Sequence, residues 1–323
     1  MRRVALAAAL LLAACAPTAS LPDAPVAAGA SIRVEAKPVP EFPPDAPRPA
    51  GDDFAFVGGL ELTSPDTSRF HGLSDLEVLP DGRFIAVSDE GDLVRGRLVF
   101  DAKGAPSGMA DVTLKPLTNL DGQPLSGSKA DSDSEGLALW PNGDLMISFE
   151  RNHRIWLYPA NGGPPRAVPS PDAPFPDNSG MEALALDPSA GRDAYITGRE
   201  DTRETWVCRL SGGCIPGPRA APDAGAGSLV AARPLPGGRW AYLLRDFSPA
   251  TGAVIQIVVA DGNGRALDTH VIRRPANVDN FEGLAALPRP DGTVRFHLIV
   301  DDNFSSAERT LFFTFDWTPP KGR

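Results

Sequence analysis

Residues 72–89, GLSDLEVLPDGRFIAVSD, place two short apolar strands on either side of a Pro-Asp-Gly turn. In such a turn, Pro presets φ at the first corner, Asp bonds back to the backbone, and Gly takes the positive φ. Similar segments begin at Ser134, Gly180, Ser228 and Phe281. Because one pair of antiparallel strands is predicted five times, repetition is the main indication of the fold.

The period of the repeat favours one architecture. The prolines of the five turns are separated by 61, 47, 48 and 54 residues, and they are Pro80, Pro141, Pro188, Pro236 and Pro290. Short strands at a period of about 40–50 residues are typical of the blades of a β-propeller. We predict an all-β propeller of five blades, or of six if a diverged blade lies at residues 101–134. A two-sheet sandwich is the rival, but it gives no reason for a repeat.

The two ends of the repeated region predict how the ring closes. The last unit supplies three strands, ending with residues 310–317, but no fourth, whereas residues 54–63 form a strand before the first unit without a partner. Pairing these two strands would close the ring and leave no sheet edge bare. We therefore assign residues 52–318 to the propeller and 319–323 to a tail.

The N-terminal residues have the pattern of an export signal. Two arginines precede the apolar run Val4–Leu12, which is shorter than the roughly 20 residues needed to span a bilayer. Small residues then lead to Cys15, as in a lipobox, where the cysteine carries lipid and a second acylation makes the anchor stable. We predict a signal peptide over residues 1–14, lipidation at Cys15, and an outer-membrane location facing the periplasm. The alternative is an ordinary secretory peptide.

Composition restricts the partners. Residues 15–51 are rich in Ala and Pro and predict an extended tether. The net charge is −10, or −12 without the two N-terminal arginines, and no basic stripe is present, which argues against nucleic-acid binding. Phosphate-cradling glycine motifs are also missing. We expect a monomer that contacts the membrane only through its lipid.

Two further cysteines lie close together. Cys208 and Cys214 enclose Arg-Leu-Ser-Gly-Gly, and a Gly-Gly turn can bring their Cα atoms within disulfide range. We predict a disulfide that clamps the end of a hairpin, with a free buried pair as the alternative. The spacing fits neither a CxxC redox motif nor a zinc site.

Several of the repeated segments resemble a known family. The chain resembles the phytase-like family ("esterase-like activity of phytase") over nearly all of residues 70–317. The segments that carry the resemblance are DSEGLAL (133–139), GMEALAL (180–186), NFEGLA (280–285) and VDDNF (300–304). The resemblance implies a propeller with phytase or esterase activity, without defining one reaction. The fourth unit departs from the pattern, with Leu229-Val230 where the others have Glu-Gly or Glu-Ala.

Carboxylates recur at two positions of the repeat. An inner set, Glu135, Glu182 and Glu282, stands immediately before the first strand of three units. Because neighbouring strands are antiparallel, both positions fall on one face of a propeller, with the inner set around the channel. We interpret the inner set as functional and the outer set as a solvated rim. The outer set follows the second strand and contains Asp89, Glu150, Glu200, Asp246 and Asp301.

Carboxylates that are crowded into a ring repel one another. Either a cation binds among them, or some are protonated because their pKa values rise, or arginines lie between them. Oxygen ligands suit calcium, and the lack of clustered His and Cys argues against zinc. The predicted calcium ligands are Glu135, Glu182, Glu282, Asp301 and Asn303. The arginines that could bind a phosphate or carboxylate are Arg151, Arg199 and Arg245. The alternative is that these polar residues only cap strands and form salt bridges.

Two classes of function follow. In the first, the protein is a metal-assisted hydrolase of a small anionic or ester substrate, in which Glu135, Glu182 and Glu282 are catalytic and His71 is a candidate base. A calcium-dependent sugar lactonase is a variant of this class. No Gly-x-Ser-x-Gly motif supports a serine nucleophile. In the second, the propeller is a non-catalytic module that binds a ligand or a protein.

Overall fold

The computed structural model describes residues 29–47, 53–125, 128–305 and 308–320. Within these ranges, 22 strands form five antiparallel sheets, and one short helix, α1, spans Lys129–Ser132. The sheets are the five blades of a β-propeller, so the predicted all-β propeller is confirmed with five blades. None of the helices in the described ranges is long and apolar enough to cross a membrane.

The strands follow the predicted repeat. Before the first repeat lie β1 (Ala30–Ser31), β2 (Glu35–Pro38) and β3 (Phe54–Thr63). Blade 1 contains β4 (Leu73–Val78), β5 (Arg83–Ser88), β6 (Asp92–Phe100) and β7 (Pro106–Pro116), together with β1. Blade 2 contains β8 (Ser134–Leu139), β9 (Leu145–Phe149), β10 (Arg154–Tyr158) and β11 (Arg166–Val168). Blade 3 contains β12 (Ala183–Leu186), β13 (Ala194–Gly198), β14 (Thr205–Arg209) and β15 (Cys214–Pro216). Blade 4 contains β16 (Ser228–Leu235), β17 (Arg239–Ser248), β18 (Gly252–Ala260) and β19 (Ala266–Arg273). Blade 5 contains β20 (Phe281–Pro288), β21 (Val294–Val300) and β22 (Leu311–Trp317).

The first strand of each repeat is the innermost strand of its blade. From the channel outward, blades 2, 3 and 4 follow chain order, whereas blade 1 ends with β1 and blade 5 with β3 and β2. The five innermost strands, β4, β8, β12, β16 and β20, contact one another around the channel. Residues at the ends of these strands are therefore brought together from all five blades.

The ring closes between the two ends of the repeated region, as predicted. β3 pairs antiparallel with β22, from Leu311 opposite Glu61 to Trp317 opposite Phe54. Phe54 and Trp317 are both buried in the core that blades 4 and 5 share. Burial of such aromatic side chains stabilises the closed ring through the hydrophobic effect.

One predicted boundary is wrong, and the alternative of a sixth blade is not realised in the described residues. Within 101–125 and 128–134, β7 completes blade 1 and α1 leads into blade 2, so no further blade is formed there. Residues 30–38 were predicted as tether, but they form β1 and β2, which pair with the outer strands β7 and β3 and so cover two sheet edges. Several predictions fall outside the described residues: the signal peptide over residues 1–14, lipidation at Cys15, the tether over residues 15–28 and 48–51, and tail residues 321–323.

A disulfide joins Cys208 and Cys214, whose Cα atoms are 4.0 Å apart. The two residues lie directly opposite each other on β14 and β15. The bond therefore clamps the outer hairpin of blade 3, far from the channel in the strand order.

Candidate functional site

A repeated backbone irregularity places the inner glutamates. Four of the five innermost strands have a register shift near their first residues, between Leu73 and Asp75 in β4 and at the matching place in β8, β16 and β20. A β-bulge of this kind changes the direction of a side chain locally. Glu135 and Glu282 lie within these shifts, and Glu182 immediately precedes β12.

Gly136 shows why Glu is followed by Gly in blade 2. A Cβ atom at this position would lie 2.3 Å from the backbone oxygen of Glu182 and 2.7 Å from Oγ of Ser148. Such contacts are closer than packed atoms allow, so only glycine fits. The close approach brings Glu135 and Glu182 of adjacent blades to the same part of the channel.

The glutamates line a cavity of about 430 Å³ at the mouth of the channel, called the acidic cavity below. Besides Asn178, Asn303 and Phe304, its lining consists of charged residues. Three are cationic: Lys129, Arg151 and Arg245. Nine are carboxylates: Asp89, Glu90, Asp133, Glu135, Glu150, Glu182, Glu200, Glu282 and Asp301. With all groups ionised, nine carboxylates against three cations leave an excess of six negative charges.

Glu135 and Glu182 form no direct ion pair in the described part of the chain, although Arg245 lies near enough to oppose the rise in the pKa of Glu182. Their exposed fractions are 7% and 8%, and no hydrogen bond or ion pair to either side chain is found among the described residues. Burial raises the pKa of both carboxyls well above the usual range, and neighbouring carboxylates raise it further: Glu182 acts on Glu135, and Glu200 acts on Glu182. A cation in the acidic cavity would relieve both effects.

The carboxylates fall into two groups that fit an ion. One oxygen each from Asp133, Glu135 and Glu150 lie within 4.8 Å of one another, and the same holds for Glu150, Glu182 and Glu200. All donors are carboxylate oxygens, and His and Cys are absent from the described lining. This donor set suits a hard cation such as Ca²⁺ or Mg²⁺ rather than zinc.

The outer carboxylates do not form the solvated rim that the repeat predicted. Asp89, Glu150, Glu200 and Asp301 line the acidic cavity, whereas Asp246 does not. Burial raises the pKa of Glu150 to about 7, with further contributions from Asp133 and Glu200. It likewise raises the pKa of Asp89 to about 8, with Asp301 as the next cause. Glu150 lies inward because it follows β9 directly, where the end of β9 pairs with the start of β8 next to Asp133.

The cationic side chains are held by carboxylates. Nζ of Lys129, on α1, lies 2.6 Å from Asp133 and also pairs with Asp89. Nε of Arg151 lies 2.7 Å from the other oxygen of Asp133. The Asp133 carboxylate is therefore paired on both oxygens. Neither cation contacts the Glu135 side chain in the described structure.

Arg245 joins the opposite side of the acidic cavity. Its Nη2 lies 3.0 Å from Glu200, and its Nη1 pairs with Glu282 and hydrogen-bonds to Asn280. Nearby carboxylates, Glu282 first, hold the pKa of Arg245 above its usual range despite burial. Burial nevertheless raises the pKa of Glu282 well above normal. Glu282 thus differs from Glu135 and Glu182 in having a protein cation as partner.

The structure brings the five predicted calcium ligands to one cavity, but they are not equivalent. Asp301 accepts a hydrogen bond of 2.7 Å from the backbone N of Asn303. The Asn303 amide donates to Glu308 at 3.0 Å. Glu282 and Asp301 therefore already have protein partners on their carboxylates, which makes Glu135 and Glu182 the better candidates to hold an ion.

Two predicted site residues lie outside the acidic cavity. Arg199 is held by Asp201 at 2.6 Å and by the backbone oxygen of Pro174. His71 is buried, with Nδ1 3.4 Å from Asp302 and its ring 4.1 Å from the ring of Phe304, which itself lines the cavity. His71 is therefore separated from the acidic cavity by Phe304, and its role as a base remains a prediction.

Three charged residues of the channel and its acidic cavity were not predicted from the sequence. Asp133 stands in the DSEG motif, so its position beside Glu135 was a usable signal. Lys129 lies in the irregular stretch before β8, where no repeat marks it. Arg233, on β16, lies 2.8 Å from Asp75 inside the channel, and both side chains are buried. The fourth repeat, which lacks the inner Glu, thus supplies the cation that pairs with Asp75.

The fold and the site define a five-bladed propeller with an acidic channel mouth. The family profile for "Phytase-like: Esterase-like activity of phytase" matches residues 68–304, and the chain belongs to this family. No match was found among curated proteins.

Several solved structures are similar in part. One, provisionally assigned as a gluconolactonase, has a TM-score of 0.47 at 14% identity, covering 79% of this chain and 78% of that one. A gluconolactonase from Xanthomonas campestris has a TM-score of 0.44 at 13% identity, covering 75% of this chain and 71% of that one. The allergen Mala s 1 from Malassezia sympodialis has a TM-score of 0.44 at 13% identity, covering 84% of this chain and 91% of that one. Likenesses of this extent do not bear on the chemistry of the acidic cavity.

Proposed function

We propose that this chain is a metal-assisted hydrolase of phosphoric or carboxylic esters. The observation that carries the proposal is the pair Glu135 and Glu182, two carboxylates more than nine-tenths buried without a partner in the described structure. A buried charge without a partner is costly, so it must be protonated or bind a cation. Facing a cavity with an excess of negative charge, the two glutamates favour a cation.

Calcium fits the donors. Ca²⁺ takes six to eight oxygen ligands at flexible geometry, which the crowded carboxylates of the acidic cavity can supply together with water. Glu135 and Glu182 would hold it, assisted by Asp133, Glu150 and Glu200. When bound, the ion would polarise a phosphoryl or ester oxygen and orient a water molecule.

Water is the nucleophile most consistent with the lining. Of the described residues around the acidic cavity, none carries a hydroxyl, thiol or imidazole group. An acyl- or phosphoryl-enzyme on Ser, Thr, Cys or His is therefore not supported at this site. The many carboxylates can instead accept a proton from an attacking water.

The protein cations do not suffice for an anionic substrate. Lys129, Arg151 and Arg245 each pair with carboxylates of the cavity itself. An incoming phosphomonoester would therefore meet a negative field unless bound metal reverses it. For this reason metal dependence is part of the proposal and distinguishes it from a purely arginine-based anion site.

Hydrolysis with and without metal tests the proposal. The full chain, stripped with a chelator, is assayed on p-nitrophenyl phosphate and p-nitrophenyl acetate before and after addition of Ca²⁺. We expect hydrolysis only with Ca²⁺, and its loss in Glu135→Gln and Glu182→Gln variants. Hydrolysis that is unchanged by the chelator and by both substitutions contradicts the proposal. Calcium binding without turnover of either ester favours a non-catalytic binding propeller.

We also propose that the protein is a lipoprotein of the bacterial outer membrane, anchored through Cys15. The proposal is supported by the apolar run that ends in Leu-Ala-Ala-Cys and by Ala16 after the cysteine. Labelling of cells with a radioactive fatty acid tests it. Label should enter the chain and be lost in a Cys15→Ala variant, and the labelled chain should fractionate with the outer membrane.

A further inference from the structure

We propose that the acidic cavity binds two divalent cations that share the carboxylate of Glu150. This inference rests on the proposed function, since it concerns the same cation-binding carboxylates. It extends that function by giving the number of ions, the bridging residue and the class of substrate that a paired centre favours.

The two groups of carboxylates overlap in a single residue. Asp133 and Glu135, from the start of blade 2, form one group with Glu150, and Glu182 and Glu200, from blade 3, form the other with Glu150. Within the described chain, the five do not form one group whose oxygens all lie within 4.8 Å of one another. A Ca²⁺ ion binds oxygens at about 2.3–2.6 Å, so its ligands span roughly 5 Å. One ion at either group therefore leaves the other group without a cation.

Each group contains its own buried carboxylate without a partner. Glu135 belongs only to the first group and Glu182 only to the second. Both are more than nine-tenths buried and line the acidic cavity. One ion would satisfy one of them and leave the other as a buried charge, which is costly. Two ions satisfy both.

The surrounding contacts leave the middle of the site for cations. At one end, Asp133 is paired with Lys129 and Arg151, and at the other, Glu200 is paired with Arg245. Between them, Glu150 accepts a hydrogen bond of 3.0 Å from the backbone N of Gly180. That donor fixes the orientation of Glu150 without neutralising its charge. Glu150, which belongs to both groups, is the carboxylate that two ions would share.

The charge of the acidic cavity leaves room for a second divalent ion. The excess of six negative charges around the acidic cavity falls to four with one divalent ion and to two with a pair. Paired metal ions about 3.5–4 Å apart typically bind both the attacking and the leaving oxygen of a phosphoryl group. A paired centre therefore favours phosphoric esters over carboxylic esters as the substrate class.

Calcium stoichiometry tests the inference. The chelator-stripped full chain is dialysed against Ca²⁺ and the bound metal is counted, with thermal stability followed in parallel. We expect two ions per chain in the native protein and one in either Glu135→Gln or Glu182→Gln. Glu150→Gln should weaken binding of both ions. Glu204→Gln is the control, because Glu204 is exposed on blade 3 and does not line the acidic cavity, and it should keep two ions.

A second readout tests the bridge. With Mn²⁺ in place of Ca²⁺, two ions that share a carboxylate give an exchange-coupled electron paramagnetic resonance spectrum, which Glu135→Gln should convert to that of an isolated ion. One ion per chain in the native protein, lost in both Glu135→Gln and Glu182→Gln, overturns the inference. Two ions without ester hydrolysis would contradict the proposed function and leave the paired site standing. Ester hydrolysis with a single bound ion would support the proposed function and contradict the paired site.

Discussion

Asp75 and Arg233 meet at 2.8 Å across the channel, where both side chains are almost completely buried. The Asp75 carboxylate also accepts hydrogen bonds from the backbone N atoms of Leu137, at 2.8 Å, and Leu284, at 3.3 Å. One ion pair thus connects the innermost strands of blades 1, 2, 4 and 5. The pair therefore ties together four of the five strands that surround the channel.

Removing one partner of this pair should be strongly destabilising. Arg233→Met leaves Asp75 as an unpaired buried charge, for which we expect a loss of about 3–5 kcal/mol in the free energy of unfolding. Urea denaturation measures the loss. Arg83→Gln, which breaks the exposed pair with Asp81, is the control and should change stability little. Equal effects of the two substitutions would contradict the role assigned to Asp75 and Arg233.

Neutralising an inner glutamate should have opposite effects without and with calcium. In the metal-free chain, Glu135→Gln removes a buried charge without a partner and should stabilise the fold by about 1–3 kcal/mol. With Ca²⁺ present, the same variant should gain less stability from the ion than the native chain. Thermal unfolding with and without a chelator measures both, with Glu204→Gln as control. A variant that is destabilised under both conditions would show that Glu135 has a purely structural role.

The metal-free protein should lose stability as the pH rises above neutrality. The pKa of Glu150 is raised from 4.5 to about 7, and that of Asp89 from 3.8 to about 8. The folded state therefore holds protons that the unfolded state has released, and this contribution is present at low pH and lost as the pH rises through about 7 and 8.

Unfolding followed in chelator between about pH 6.5 and 8.5 checks this sign. The window lies above the range in which buried His297, with its pKa lowered to about 3, opposes the trend. The loss should be smaller in Glu150→Gln and in the presence of Ca²⁺. Metal-free stability that rises across this window would contradict the account.

Gly136 should tolerate no side chain. Gly136→Ala places a Cβ atom 2.3 Å from the backbone oxygen of Glu182, so blades 2 and 3 must separate. We expect a destabilisation of about 1–3 kcal/mol and weaker calcium binding. Gly108→Ala is the matched control, because a Cβ atom there meets nothing within 4 Å. Thermal unfolding and calcium titration compare the two, and equal tolerance would mean that the blades can adjust.

The sequence predicted the ring better than its edges. The turn prolines and paired apolar strands predicted the blades, and the unpaired strand at residues 54–63 predicted the closure. β1 and β2 were missed because two- and four-residue strands in a Pro- and Ala-rich stretch carry no alternation of polar and apolar residues. Their place is fixed by the sheet edges they cover, which only the assembled ring defines.

For the site, the repeat predicted which residues meet but not which of them are neutralised. Glu135, Glu182 and Glu282 occupy matching positions in the sequence, yet among these three only Glu282 forms a direct ion pair with an arginine, Arg245 from blade 4. Lys129 enters the site from α1, outside the repeat. Such ion pairs join residues that are distant in sequence. The repeat alone therefore does not predict which carboxylates are buried and which have a cation beside them.

The most direct test of a cation site in the acidic cavity is anomalous diffraction from crystals of the protein soaked in Mn²⁺, which shares the preference of Ca²⁺ for oxygen ligands. We expect anomalous density in the cavity within bonding distance of the Glu135 and Glu182 carboxylates. A cavity without such density, with both glutamates paired to protein donors instead, would contradict it.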